Sequence, residues 1–557
     1  MKVVIVGGVA GGAGTAARLR RNDEHAKIIL LEKGPHISYA NCGLPYYVGG
    51  VIKEKEKLQL QTPKSFHDRF RVDVRTGHEA IGVDTDRKSV SVRAGGQVYE
   101  ETYDKLVLSP GAEPVVPPIP GLLEERARVF TLRNVEDSYR IYDYIQEKKP
   151  RTCAVIGAGF IGLEIAENLA ERKIAVSVVE GASHVMPPFD QDMAHQIHNT
   201  IRARGIELYL AQMCQAIDPQ GVILKDGTHI EADMIILSMG VRPATGFLEG
   251  SKIARGTRGE ILVDPYMETS CPDVYALGDA VSVDHVVSGQ KVLIPLASPA
   301  NKQGRIVADN LTGKKRAYKG SQGTSIMRFF DLTAAVTGEK EDSLKAQGRP
   351  YGKVFTVSAS HAGYYPGGSQ MVIKTLFDPE SGQILGAQIV GQDGVDKRID
   401  LLAAAVRSAQ TCYQLQEEEL SYAPPFSSAK DPVNMVGYVI ENILEGRMRP
   451  FYLEDIPALP KDAVCIDVRK PEEYREGHIP GFINIPLDEL RQRIEEIDRS
   501  KKIYLNCQIG LRGYIAQRIL EQHGAETRNL SGGYALYKEM VLDEQAITAE
   551  AERRKKG

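Results

Sequence analysis

At 557 residues the chain is too long for one hydrophobic core; at roughly 100 to 200 residues per domain it predicts about three to five. Its 69 Lys and Arg nearly balance 73 Asp and Glu, a formal net charge of −4, which excludes the broad basic excess of a nucleic-acid binder. No apolar run approaches the ~18 residues of a bilayer span, so a soluble enzyme or binding protein with no membrane partner is expected.

The chain opens on MKVVIVGG, a buried-strand pattern running into glycines rather than the basic, apolar and small-residue succession of a secretory signal, and a cytoplasmic protein is expected. Gly7, Gly8, Val9, Ala10, Gly11 and Gly12 form a phosphate-binding turn ahead of a helix, and Glu32 ends the next strand, placed to accept from ribose hydroxyls. A strict G-x-G-x-x-G would have Gly where Val9 stands. Then comes SYANCGLPYY, with a lone Cys42 at a helix start near residues 41–43, whose dipole is expected to lower the thiol pKa. On residue type alone a buried structural cysteine is the alternative. The seven cysteines show no C-x-x-C pair, which argues against a disulfide framework and a zinc site; no metal is expected.

A Pro/Gly-rich connection, SPGAEPVVPPIPG, leads to a second unit, TCAVIGAGFIGLEIAENLAERKIAVSVVE. Here Gly157, Gly159 and Gly162 complete G-x-G-x-x-G, and Glu180 closes the following strand. A carboxylate at Glu180 with no following arginine favours NADH over NADPH. The strand MIILSMGVRP and the segment DVYALGDA read as returns to the first sheet, making the second unit an insertion. From about Gly320 the pattern changes to YGKVFTVSAS and MVIKTLFD followed by DKRIDLLAAAVRSA, an α+β domain for packing or dimerisation. After RMRPFYLEDIPALP, a small α/β module places Cys507 on the turn CQIGLRG between a strand and a helix, where backbone amides and Arg512 would stabilise a thiolate or persulfide. The closing AEAERRKKG reads as a frayed tail.

Two dinucleotide units, YALGDA with Asp279 placed for a flavin ribityl chain, and SYANCGLPYY together resemble the single-cysteine branch of the pyridine nucleotide-disulfide oxidoreductases, of coenzyme A-disulfide reductase type, over roughly residues 1 to 450. Two-cysteine relatives have C-x-x-x-x-C, but Tyr47 stands at the second position, so Cys42 must pair with an outside thiol or cycle through a sulfenate. The resemblance implies FAD and NADH as cofactors, coenzyme A as substrate and a homodimer in which Tyr364 of HAGYYPG and Tyr422 of LSYAPPF approach the partner's thiol. It also implies coenzyme A contacts at Arg18, Arg21, Ser38, Asn41, Asn301 and Lys430, with Arg69 or Arg71 standing in for a lysine of the family. Arg18 and Arg21, three apart on one helix, would reach a common ligand.

The C-terminal module, with CIDVRKPEEYREGHIPGFINIP and LSGGYALYK, resembles a rhodanese sulfurtransferase domain in which Asp467, Arg469 and His478 are framework positions. The fold class expected is α/β: two Rossmann-like FAD and NAD(P)H-binding domains, an α+β dimerisation domain and a C-terminal α/β rhodanese domain. The boundaries expected are 1–113 and 243–320 for the FAD-binding domain, 114–242 for the NAD(P)H-binding domain, 321–450 for dimerisation, 451–545 for the rhodanese domain and 546–557 for the charged tail. The activity implied is NADH-driven reduction of coenzyme A persulfide or polysulfide to hydrogen sulfide through a Cys42 mixed disulfide, with Cys507 supplying sulfur. Coenzyme A-disulfide reduction, an NADH peroxidase or oxidase cycle, and a non-catalytic sulfur sensor are the alternatives.

Overall fold

The run KVVIV is apolar at nearly every position because it lies inside a parallel sheet covered on both faces. Strand order across that sheet is Val274–Ala276, Lys105–Leu108, Lys2–Val6, Lys27–Glu32 and Asp73–Thr76, all parallel. Helix Ala10–Asn22 follows the first strand, and helix Ala297–Leu311 packs so close that a Cβ on Gly304 would lie 2.9 Å from the Gly11 carbonyl oxygen. The structure, a computed structural model, describes residues 1–556, in two compact units: Met1–Gly181 with Ala211–Gly323, and Ala182–Leu210 with Thr324–Gly557.

DVYALGDA does return to the first sheet, where Val274–Ala276 pairs with Lys105–Leu108. MIILSMGVRP does not. Met234–Leu237 pairs with Thr152–Ile156 and Val129–Phe130 in the second parallel sheet, and only Val241–Pro243 leaves it, pairing antiparallel with Ala112–Pro114 as a ribbon. A fully apolar strand reads the same in either parallel sheet, and only the pairing separates them.

In the second unit, five antiparallel strands run in the order Ser325–Phe329, Leu332–Gly338, Ile384–Gly391, Gln370–Phe377 and Gly352–Ala359, with helix Val395–Arg407 beside them. The C-terminal module is a second sheet of five parallel strands: Pro450–Phe451, Thr527–Leu530, Ile503–Asn506, Val464–Asp467 and Ile483–Asn484. A chain of charges, buried at Lys374 and Glu341 and exposed at Glu454, joins the two. Lys374 is fully buried and meets Asp190 at 2.8 Å, Asp192 at 2.7 Å and also Glu341. Lys353 bridges Glu341 at 3.1 Å and Glu454 at 2.5 Å, while the Tyr452 hydroxyl donates to the Lys353 carbonyl at 2.8 Å.

Of the closing AEAERRKKG, expected as a frayed tail, the described residues instead extend the helix Gly533–Lys556, and the last glycine lies outside the described residues. The helix's charges are used: Arg202 holds Glu550 at 2.7 Å and Asp543 at 2.5 Å. His195 and His198 both direct Nδ1 at Asp543 Oδ2, at 2.6 and 2.8 Å, and the Val185 amide donates to His198 Nε2. That amide fixes the neutral tautomer in which His198 Nδ1 carries the proton and donates to Asp543. Burial pushes the His198 pKa down, consistent with a neutral ring. Among the described residues no helix is long and apolar enough to cross a membrane.

Asp543→Ala would leave these buried donors without an acceptor. The free energy of local opening of the terminal helix should fall by about 3 kcal/mol, read as faster amide exchange there than in wild type and no change in Lys2–Val6. Equal exchange in both proteins would mean that apolar packing alone docks the helix.

Candidate active site: two cradles and two thiols

Each nucleotide turn is closed by a helix approaching the end of its own strand. A Cβ on Gly12 would lie 1.8 Å from the Gly7 carbonyl oxygen, and one on Gly162 would lie 2.0 Å from that of Gly157. Gly7 and Gly157 sit at φ +97° and +104°, a region that L side chains rarely adopt. The two loops are anchored alike, Gly8 N donating to Glu32 and Ala158 N to Glu180, both at 2.8 Å. Glu32 also accepts from Gly34 N at 2.8 Å, and burial raises its pKa overall. Part of each carboxylate's capacity is therefore spent on shaping the loop rather than on ribose.

The helix after each loop begins without a side-chain cap, at Val9 and at Gly159. A Cβ on Gly159 would meet nothing within 4 Å. Uncapped first-turn amides fit a dinucleotide pyrophosphate in both cradles, and at Gly159 they stand beside open space. Gly8, Ala10 and Gly11 line the first turn; a Cβ on Gly11 would strike Ser109 Oγ and Leu277 at 2.6 Å, and Ser38, at φ +45°, donates its amide to the Gly8 carbonyl. Asp279 is held at 2.8 Å by Arg133, which also donates to the Ala112 carbonyl. Arg133 escaped the sequence reading; its one signal is its place immediately before the helix cap Asn134.

Cys42 sits on a 3-10 turn, Asn41–Gly43, which leads into the short helix Leu44–Gly49. That helix is pressed onto helix Phe160–Glu171: a Cβ on Gly49 would be 2.0 Å from Asn168 Oδ1, and Arg172 donates to the Val48 carbonyl at 2.5 Å. Tyr47, where a second cysteine would stand, is buried with its ring 5.5 Å from Tyr139 and 5.1 Å from Tyr142. Cys42 is an exposed residue. On the neighbouring residue, Asn41 Oδ1 is buried without a hydrogen-bond partner.

The expected lowering of the Cys42 pKa is overturned. Desolvation raises it, the carboxylates of Glu164 and Asp279 add to the rise, and Arg133 offsets only part. A six-residue helix after one 3-10 turn supplies too little dipole to reverse this. Glu164, one helical turn before Asn168, was also missed; burial and Glu167 raise its own pKa to about 7. A glutamate inside an amphipathic helix carries no local sign that it faces a thiol.

Tyr364 and Tyr422, 58 residues apart, meet hydroxyl to hydroxyl at 2.6 Å on the exposed surface. The loops that carry them are tied by the Ala362 amide to the Ser427 carbonyl, and by buried Arg398, which binds the Ser360 carbonyl, Ser427 Oγ and Asp431. Tyr365 packs edge-on against His361, ring centres 5.5 Å apart. Arg21, Arg69, Asn301 and Lys430 are exposed. Arg18 does not pair with Arg21 toward a common ligand: Asp309 takes it at 3.0 Å, alongside Arg316 at 2.7 Å.

Cys507 ends the strand Ile503–Asn506, buried, with Gly510 N at 3.1 Å from its sulfur. The first amides of the terminal helix cap this loop from behind, Tyr534 N to the Cys507 carbonyl and Ala535 N to that of Gln508. Asp467 and Arg469 form a buried pair at 2.8 Å, with Arg469 lying 3.9 Å over the Tyr534 ring. His478 stacks on Tyr474 at 3.9 Å. Burial pushes the Cys507 thiol up, against amides at Gly513, Ile509 and Gly510 and the charge of Arg512. Arg512 departs from its expected role: both terminal nitrogens bind Glu473, at 2.7 and 2.6 Å, rather than the sulfur.

This fold and site define a flavin-dependent oxidoreductase that carries a sulfur-handling module, and residues 1–304 match the family described as pyridine nucleotide-disulphide oxidoreductase. The chain belongs to that family. Residues 324–432 match its dimerisation domain and residues 454–540 a rhodanese-like domain. The coenzyme A disulfide reductase of Staphylococcus aureus (strain bovine RF122 / ET3-1) is 38% identical over 440 residues, 78% of this chain and 99% of that protein. The crystal structure of reduced Bacillus anthracis CoADR-RHD is 48% identical, covers 97% of this chain and 98% of its own, and superimposes with a TM-score of 0.96. An NAD-dependent persulfide reductase from A. fulgidus is 36% identical over 96% of this chain and 100% of its own, with a TM-score of 0.91.

Glu164→Gln removes one of the two carboxylates that hold the Cys42 proton in place. The thiol pKa should fall and alkylation of Cys42 at pH 7.5, where Glu164 is largely ionised, should quicken severalfold. An unchanged rate would leave the raised pKa to desolvation and Asp279.

Proposed function

We propose that the chain is a homodimeric, NADH-driven reductase of coenzyme A persulfide that releases hydrosulfide and free coenzyme A, with Cys507 carrying sulfane sulfur to coenzyme A. The observation that carries this reading is the pairing of an exposed Cys42, whose second-cysteine position is filled by the buried Tyr47 ring, with an amide-lined Cys507 in the same chain. The relatives named for coenzyme A disulfide and persulfide reduction support it, and seven free cysteines suit a reducing cytoplasm.

Cys42 thiolate attacks the inner sulfur of coenzyme A persulfide; the sulfur–sulfur bond breaks, hydrosulfide leaves with the bond's electron pair, and a Cys42 mixed disulfide with coenzyme A remains. The Gly7–Gly12 and Gly157–Gly162 cradles, with Asp279 and Glu180, would hold FAD and NADH, whose chemistry would supply the electron pair that returns the mixed disulfide to two thiols. Arg133 braces Asp279. The raised Cys42 pKa makes a proton acceptor part of the cycle, and Glu164, which holds or yields a proton about neutrality, is suited to that task. In the homodimer, Tyr364 and Tyr422 of the partner subunit place a hydroxyl pair where the departing coenzyme A thiolate needs a proton. Ser38 and Asn41 beside Cys42, exposed Arg21, Arg69 and Asn301, and Lys430 of the partner subunit are the proposed coenzyme A contacts.

Reduction of coenzyme A disulfide by the same Cys42 is the second reading, favoured by the name of the staphylococcal relative. Anaerobic NADH oxidation with equal concentrations of the two substrates decides between them. Faster turnover of the persulfide with one sulfide per NADH is expected, and Cys42→Ser should abolish it while Cys507→Ser spares it. Preference for the disulfide would leave Cys42 as keeper of the coenzyme A thiol pool.

A further inference from the structure

The loop around Cys507 offers incoming sulfur donors little free positive charge. Its side chains are Gln508, Ile509, Leu511 and Arg512. Leu511 is 52% exposed and Ile515, one helical turn on, 39%, so that rim is apolar. Arg512 is the loop's cation, and Glu473 occupies both of its terminal nitrogens. Arg469 is committed too: Asp467 holds Nε and one terminal nitrogen, which also donates to the Gly477 carbonyl, and the other terminal nitrogen reaches Gln508 Oε1 at 3.4 Å. What remains for a substrate is backbone amides.

We propose that Glu473 sets the donor specificity of this site: by neutralising Arg512 it turns the cradle toward organic persulfides and away from small dianions such as thiosulfate. This deepens the reading of Cys507 as a sulfane-sulfur carrier and rests on it. With an organic persulfide, Cys507 thiolate attacks the outer sulfur, the old sulfur–sulfur bond breaks, and its electron pair leaves on the organic thiolate; Cys507 keeps one added sulfur and no oxidant is consumed. With thiosulfate the same attack expels sulfite. Two negative charges must then lose water in a cradle whose cation is already matched, which is costly. An organic persulfide brings less charge, which the loop amides can hold, and a tail that Leu511 and Ile515 can cover. The Glu473–Arg512 pair is itself about one-third exposed (31% and 30%), so the loop's buried framework does not depend on it.

The test uses full-length Cys42→Ser protein, with sulfur loading at Cys507 read as the gain of one sulfur in the intact mass that a Cys42→Ser, Cys507→Ser control does not show. Thiosulfate and N-acetylcysteamine persulfide serve as donors. Adding Glu473→Gln should raise the ratio of thiosulfate to persulfide loading rates about tenfold, the worth of one freed charge-assisted contact. Adding Arg512→Leu on top should return the ratio to its starting value, and Glu473→Asp, which keeps the charge but shortens the reach, should fall between. Faster loading from thiosulfate before Glu473 is changed, a ratio that Glu473→Gln leaves unmoved, or a rise that survives loss of Arg512 would each overturn the proposal while leaving Cys507 a carrier. No loading from either donor in any variant would overturn the carrier reading and the proposal together.

Discussion

Two close backbone approaches, Gly12 onto the Gly7 carbonyl and Gly162 onto that of Gly157, set the positions of most of the first unit's functional groups. Each brings a helix start to the end of a central parallel strand, within a side chain's breadth, so that amides rather than side chains line the turn. Everything else is placed relative to them. Glu32 and Glu180 reach back to the loops, Ser38 leans on Gly8, and Cys42 follows Ser38 by four residues. The second approach also sets the helix Phe160–Glu171 against which the Cys42 segment is clamped.

The two thiols, one on an exposed residue and one buried, meet the same physical problem, desolvation that favours the protonated form, with different means. Cys507 has its own answer in three loop amides and a nearby guanidinium, all opposing desolvation from within the module. Cys42 has little of its own: two carboxylates worsen its position and one arginine, itself paired with Asp279, helps.

The motifs that demand glycine were legible because a Cβ cannot occupy those places, and the same holds for the Cys507 turn, whose Gly510 sits at φ +95°. Apolar strands were legible as strands but not by sheet, which is how Met234–Leu237 was assigned to the wrong one. Tyr364 and Tyr422 could be named from their motifs, yet nothing local says that their hydroxyls meet. Charges were the least legible. Whether an arginine reaches for a ligand depends on a carboxylate far along the chain: Asp309 for Arg18, Glu473 for Arg512. The closing charged run looked like solvent-facing tail because its partner, Arg202, lies hundreds of residues away.

The clasp at Asp543 joins the last helix to His195 and His198 across 348 and 345 residues of sequence. Contacts of such separation are the slowest that a chain makes, because so much of it must be ordered or looped before they form. A growing polypeptide can fold its first dinucleotide domain early, but helix Gln191–Ala203 has no acceptor for its two imidazoles until Asp543 emerges from the ribosome. The same terminal helix begins by capping the carbonyls of Cys507 and Gln508. Completion of the sulfur cradle thereby waits on synthesis of Tyr534 and Ala535, so that a chain terminated before them, able to form its first dinucleotide cradle, would lack the cap on its second thiol.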